Sequence, residues 1–543
     1  MATHRTNLDA LIPREDFEVK GDETPPSSLS TTLKISELAP DSLTYQVLRK
    51  PDFQRETTNW TPDKIVELIE SFLDGDLIPS IILWRSPSTS NIFVIDGAHR
   101  LSALIAWVHD DYGDKQRSLD FYNNKIPPEQ LKAAERTRSL IDRRIGSYTA
   151  LRSAGQHPEN SSPDQVRRAR NLGSFAVQLQ WVQGDAKRAE DSFFKINQKA
   201  TPIDPTELLM IRSRRKPNAV AARALLRAGV GHKYWSAFPP DTQQELEELA
   251  RQIYDILFAP VLEEPIKTLD LPVAGRGYSA ESVRLVFEFV NLANGLITDK
   301  SRTELREDPD GRSTLQFLKR VLQLARRVSG CHPSSLGLHP AVYFYGATGR
   351  YQPSAFLGTV RFVQQLEQEN AIHAFTSVRC RFEEFLLDHR YFTNQIVVKH
   401  GSGKKSLEPM ARFFRRILES VLQEKNSDEI VADLQSHKDL RFLKELTAQD
   451  IEHKKEFSRE TKSTAFLREA LAKALRCAIC GARVHKKSMT FDHKLRKQDG
   501  GAGSADNAQL AHPFCNTGFK ERRHSQDQQT PLSSPSLFPE HED

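Results

Sequence analysis

A chain of 543 residues is too long for one hydrophobic core, so two or three domains are expected. Its 38% hydrophobic and 27% charged residues are ordinary for a globular protein, and no run approaches the roughly 20 apolar residues of a membrane span, which excludes a transmembrane reading. A formal net charge of +5 is too small to point to nucleic acid by itself, and five cysteines are too few for a disulfide framework. Local patterns must carry the argument.

Met1 to Ser30 mixes charges, prolines and serines with neither a basic start nor an apolar stretch behind it. It reads as a flexible end rather than a secretion or transit signal, and cytoplasmic residence is the expectation. Phe53-Gln54-Arg55 follows, and Pro62 then opens a helical pattern, DKIVELIESFLDG, in which Ile65, Leu68, Ile69 and Phe72 share a face and Gly75 ends the run. Two short apolar runs, SIILW and IFVID, flank the turn-forming RSPSTSN and read as neighbouring strands. The second delivers Asp96-Gly97-Ala98-His99-Arg100 to the point where a strand passes into the helix LSALIAWV. A helix start presents free backbone N–H groups to an anion, Asp can hold a metal or a ribose, Gly permits close backbone approach, and His and Arg can grip or act on a phosphate. The structural alternative is that His99 and Arg100 pair with nearby carboxylates in a core.

The blocks FQR, LIESFLDGDLIP, IDGAHRLSAL and FFKINQKATPIDPTEL resemble the DUF262 family, over roughly residues 33 to 230. The resemblance implies a ParB/sulfiredoxin-like core, NTP hydrolysis or sensing of a DNA modification, and pairing with an HNH-type nuclease in restriction of phage DNA. Gln54, Arg55, Asp96, Gly97, His99 and Arg100 match the family's signature, and the resemblance implies that these six line a nucleotide or phosphate pocket; Ala98 stands where the family carries Gln, a departure that bears on any role of that amide.

From about Leu131 to Ser458 long helical patterns dominate, among them QELEELARQIYDILF, TLQFLKRVLQLARRV and ARFFRRILESVLQ. Arg143-Arg144, Arg167-Arg168-Arg170, Arg212-Arg214-Arg215-Lys216 and Arg415-Arg416 could track a DNA backbone, although charge runs are more often solvated faces. Cys331 and Cys380 read as buried apolar residues.

Near the C-terminus, Cys477 and Cys480 are two residues apart, as are His512 and Cys515, the paired-knuckle spacing that brings four ligands around zinc. Between the knuckles lie Asp492-His493, the pair Gly500-Gly501 and Asp506-Asn507, and the second knuckle ends in Cys515-Asn516. This order resembles the HNH family of ββα-metal nucleases over about fifty residues, Arg476 to Arg523, with His512 where most zinc-bearing members carry cysteine. The resemblance implies that His493 is the general base, that Asp492 and Asn516 hold a catalytic Mg²⁺ or Mn²⁺, and that Asn507 orients the loop carrying His493. Lys520, Arg522 and Arg523 would contact DNA phosphates.

The expected architecture is α+β and multidomain: a flexible 1–30, a ParB/sulfiredoxin-like α/β domain at 31–230, a helical domain at 231–458, an HNH zinc module at 459–524 and a flexible tail at 525–543. The expected function is metal-dependent cleavage of double-stranded phage or modified DNA, gated by an N-terminal domain that binds GTP, ATP or CTP or senses the modification. Nicking by a monomer and double-strand breakage by a homodimer both stay open. So does a second class: a DNA-binding or regulatory protein whose zinc domain is purely structural.

Overall fold

The computed structural model describes residues 5–17, 29–54, 57, 60–124, 126, 128–199, 205–277, 280–445 and 456–520. They fall into two compact units, one made of Met1–Glu247, Tyr278–Val283 and Arg306–Arg312, the other of Glu248–Gly277, Arg284–Leu305 and Ser313–Asp543.

The first unit is built on a mixed six-stranded sheet of β1 (Arg14–Glu15), β2 (Thr32–Lys34), β3 (Leu48–Pro51), β4 (Ile81–Arg85), β5 (Ile92–Asp96) and β6 (Ala176–Trp181), in the order β1-β3-β5-β4-β6-β2. β1, β3 and β5 run parallel, β4 pairs antiparallel with β5 and parallel with β6, and β2 closes the far edge antiparallel to β6. Side chains alternate across a strand. Leu83 and Val94 therefore enter one core, with Ile65, Ile69 and Leu104, whereas Trp84, Phe93 and Ile95 enter a second on the opposite face, with Phe53 and Phe193. The apolar runs SIILW and IFVID are continuous because both sheet faces are covered.

The expected helix spans Pro62–Asp74, with the Thr61 side chain accepting from the Lys64 amide and Gly75 at φ +85° closing it. The left-handed turn at Gly75 is the reason glycine stands there. β5 ends at Asp96, Gly97 turns with φ +90°, and the helix Ala98–His109 begins. The expectation of a loose N-terminus does not hold for residues 5–17. Leu8, Leu11, Ile12 and Phe17 are buried, and Arg14 in β1 stands in register with Lys50 of β3. Short apolar residues spaced between charges hid this strand, because the charges themselves are paired inside.

The second unit is helical apart from a two-stranded sheet near its end. The helices Pro353–Gln368 and Leu407–Leu422 approach closely at Gly358, where a Cβ would stand 2.4 Å from Cβ of Met410. Phe362 stacks on Phe382, and Phe414 packs against both at a tilt. Helix Ile372–Asp388 carries Arg379 and Glu383, 1% and 0% exposed. Glu383 takes Nε of Arg379 at 2.8 Å, the Tyr343 hydroxyl at 3.2 Å and the backbone amide of Arg483 at 3.0 Å. Arg379 also donates to the carbonyls of Leu336 and Gly337. A carboxylate in the scaffold thus bonds the chain between the two zinc knuckles.

Because removing Glu383 strands a buried guanidinium, Glu383→Ala lowers the unfolding free energy by about 3–5 kcal/mol, read by urea denaturation, and Glu383→Gln by less. An unchanged midpoint in both variants would refute this role.

Candidate nuclease and metal centre

The C-terminal sheet pairs β7 (Thr490–His493) antiparallel with β8 (Ala508–Ala511), Asp492 facing Gln509 and His493 facing Ala508. A π-helical turn, Cys515–Phe519, follows, in which the Lys520 amide donates to the Cys515 carbonyl. One face of β7 presents Phe491, 66% exposed, and half-exposed His493; Asp492 alternates to the buried side at 7%.

Cys477, Cys480, His512 and Cys515 converge, their ligand atoms all within 4.8 Å of one another. Nδ1 of His512 lies 3.4 Å from Sγ of Cys480 and 3.8 Å from Sγ of Cys515. A tetrahedral zinc would set sulfur and nitrogen about 3.5 Å apart, given Zn–S near 2.3 Å and Zn–N near 2.0 Å. Nε2 of His512 donates to the Arg483 carbonyl at 3.0 Å, which leaves Nδ1 unprotonated and aimed at the thiols. Crowding makes the thiols unequal: hydrogen bonding from Cys480 and Cys515 pulls Cys477 down, whereas the bond to Cys477 pushes Cys480 up to about 12 and raises Cys515 too. A cation that holds all three as thiolates removes that conflict. The donor set fits a structural zinc.

His485, just outside the first knuckle, faces Asp270 at 3.4 Å instead. Cys331 and Cys380 differ from the expectation of burial: Cys331 is exposed and bonds the Lys487 carbonyl at 3.1 Å, and Cys380 is half-buried beside Gly481. Both touch the zinc module at its backbone, Cys331 at Lys487 and Cys380 at Gly481.

Asn507 ties the loop behind His493, accepting from the Leu495 amide at 2.7 Å and donating to the carbonyls of Leu495 at 3.0 Å and Ala502 at 2.8 Å. Gly500 has φ +90°, and a Cβ on Gly501 would stand 1.8 Å from the Leu495 carbonyl oxygen, so both glycines of the turn are required. Asn516 donates to the Phe491 carbonyl at 3.2 Å.

Lys520 is not where a phosphate contact would be. Its ammonium bonds both oxygens of Asp492, at 2.9 and 2.8 Å, and the His493 carbonyl at 2.6 Å, with the side chain 11% exposed. Gln509 donates to Asp492 as well, at 2.8 Å. Burial of Asp492 accounts for the turn inward, since a desolvated carboxylate requires a cation. Asp492 so engaged does not fit a divalent-ion site: the ammonium already holds the place of the metal. Arg522 and Arg523 lie outside the described residues.

At the N-terminal candidate pocket, Arg100 pairs with Asp96 at 2.8 Å and bonds the Ser80 carbonyl at 3.1 Å. The His99 ring stacks on Trp60, centroids 5.9 Å apart. Gln54 follows β3, which runs parallel beside β5, and its carbonyl accepts from Arg14 at 2.6 Å; Arg55 lies outside the described residues. Internal pairing also accounts for most of the basic clusters. Arg144 bonds Glu70, Arg167 bonds Asp74 and Asp164, Arg214 bonds Asp52 and Glu190, and Arg415 and Arg416 bond Glu419. The alternation of basic and acidic helical faces was the available signal.

Two strands, a stitched glycine loop and a helical turn around a Cys/His knuckle define a zinc-stapled module of the ββα nuclease type. Residues 477–522 match the family model of the HNH endonuclease, and residues 36–212 match that of the GmrSD restriction endonuclease, N-terminal domain. The chain therefore joins a DUF262-type N-terminal domain to a C-terminal HNH endonuclease domain, the parts of a restriction-type nuclease acting on DNA. No curated protein and no solved structure matches it.

Elemental analysis should find one zinc per chain. Cys480→Ala should expel it and lower the melting temperature, whereas His512→Cys should retain it; zinc retained by Cys480→Ala would dismiss the ligand set.

Proposed function

We propose that the protein hydrolyses phosphodiester bonds of double-stranded DNA with His493 as general base. The observation that carries this is the setting of His493: half-exposed at the end of β7, opposite the Asp492 side, and behind a loop fixed by Asn507. Its imidazole makes no hydrogen bond to any described residue, so a nitrogen is open to take a proton from water. The water oxygen attacks phosphorus, the proton passes to His493, the P–O bond to the leaving oxygen breaks, and that oxygen is reprotonated from solvent. Lys520 supports the end of β7 through Asp492 and the His493 carbonyl. The resemblance places Mg²⁺ or Mn²⁺ at Asp492 and Asn516, whereas the Lys520 ammonium holds both oxygens of Asp492.

The biological reading is restriction of phage or modified DNA, with the N-terminal domain, of ParB/sulfiredoxin-like type, sensing the modification or a nucleoside triphosphate. The match at residues 36–212 and the Gly97 turn into the helix Ala98–His109 support the gating. The closed Asp492–Lys520 pair favours one competing reading, a zinc domain that is structural only.

His493→Ala separates the two. Under the nuclease reading it loses cleavage of duplex DNA by roughly 10²–10⁴-fold while keeping its zinc. Cleavage equal to wild type would leave the structural reading standing. Comparing modified with unmodified DNA, with and without nucleoside triphosphate, tests the gating in the same assay. Lys520→Met should lower cleavage at least about tenfold with DNA affinity unchanged; weaker binding with a shallower salt dependence would instead mark Lys520 as a phosphate contact.

A further inference from the structure

The sheet face that carries His493 is apolar and open. In register, Phe491 of β7 stands opposite Leu510 of β8 and His493 opposite Ala508, so these four share one face. Phe491 is 66% exposed, Ala508 is exposed and Leu510 half-buried, whereas Asp492, Gln509 and the Lys520 ammonium lie on the other face. Single exposed apolar residues are common on protein surfaces. Phe491 differs in being held: its strand pairs with β8 and its carbonyl accepts from Nδ2 of Asn516 at 3.2 Å, so the backbone under the ring is fixed while the ring stays in water. Leu495, 52% exposed, is held in the same manner, Oδ1 of Asn507 taking its amide at 2.7 Å and Nδ2 of Asn507 reaching its carbonyl at 3.0 Å. Two asparagines thus present an apolar residue on each side of His493.

A partner for this face must accept an apolar ring and positive charge together. Lys494 and Lys497 are exposed in the adjoining loop, and the Lys494 ammonium bonds a backbone carbonyl, that of Asp506 at 2.8 Å, rather than a carboxylate. A DNA duplex offers both complements: phosphates along its rim and, between stacked base pairs, an apolar slot that a side chain can open. Residues i and i+2 of a strand stand roughly 7 Å apart, which spans about two base-pair steps.

We propose that Phe491 is a wedge that enters the base stack within about two steps of the phosphate presented to His493, and that the protein selects duplex it can unstack there. The inference rests on the nuclease reading of His493. Unstacking costs least at pyrimidine–purine steps and at mismatches, so the substrate class is duplex that kinks readily beside the scissile bond. Phe491 is a positioning residue: it sets where the phosphate lies and does not touch the reacting atoms.

The test uses the full chain and a duplex centred on the mapped wild-type cut, with 2-aminopurine beside the scissile bond; unstacking brightens this base. Bound to the slow His493→Ala protein its fluorescence should rise at least about twofold, and bound to His493→Ala/Phe491→Ala it should not. Phe491→Ala alone should cut intact duplex at least about tenfold more slowly at saturating DNA, with zinc content and melting temperature as in wild type. A mismatch at the wedge step should restore its cleavage to within about threefold of wild type, and Phe491→Leu should lie between. Equal fluorescence with both proteins, cleavage by Phe491→Ala equal to wild type, or a loss that the mismatch leaves unrepaired overturns the proposal. So does a wild-type dimer that Phe491→Ala dissolves in sedimentation, since the face would then cover a second copy. Cleavage of no duplex by wild type, or by His493→Ala as fast as by wild type, marks failure of the nuclease reading; a slow His493→Ala whose fluorescence ignores Phe491→Ala marks failure of the wedge alone.

Discussion

The bond from Glu383 to the amide of Arg483 is the constraint on which the second unit depends. A zinc module of about fifty residues cannot close a core of its own. Its buried apolar cluster is the three ligand cysteines with Ala482, Val484 and Ala511, and Phe519 is buried besides, so stability must come from metal and from surroundings. The scaffold supplies the surroundings through polar contacts of fixed geometry. Glu383 meets Arg483, Ser488 Oγ accepts from the Gly330 amide at 2.9 Å, and Ser335 accepts from the Phe514 amide at 2.9 Å. Gly337 passes so near that a Cβ would stand 2.8 Å from Ser488 and 2.9 Å from His512. Each zinc knuckle is held by the helical chain on which it rests.

This anchoring narrows how the nuclease could be controlled. A module held at both knuckles by buried hydrogen bonds is poorly suited to swinging on a linker, because each bond lost inside would leave an unsatisfied group. Control exerted at the site itself needs smaller movements. The Lys520 ammonium, at the end of a π-helical turn, is such a place: one side chain couples the Asp492 carboxylate, the His493 carbonyl and the helix that leaves the second knuckle. π-turns are strained relative to α-helix and recur at functional sites.

Much of this was legible in the sequence, and the reasons differ from element to element. The zinc ligands were readable because a metal imposes spacing on the chain, and the strand-turn-helix at Asp96-Gly97 because a strand period, a glycine and a helical period meet there. The helix Pro62–Asp74 carried its own cap and stop. Lys520 was read as a phosphate contact because sequence reveals a charge and not its partner; only burial of Asp492 turns it inward. The packed segment at residues 5–17 was missed for the same reason, since Asp9 and Arg14 look like surface residues until they are seen to pair with each other.

The economy of positive charge connects these cases. The basic clusters are largely paired with carboxylates, Arg144 with Glu70 and Arg167 with Asp74 across packed helices, and exposed pairs of this kind contribute little to stability. With a net charge of only +5, attraction for DNA must then come from charge concentrated locally. The loop directly behind His493 has that character: Lys494 and Lys497 are exposed there, and Asn507 and the two glycines fix its backbone. Under the proposed role of His493 as base, phosphate contacts within a few residues of it would position the scissile bond as well as hold the duplex. A weakly charged chain would in this way be selective about where it cuts, since affinity would be gained chiefly where His493 is already in reach.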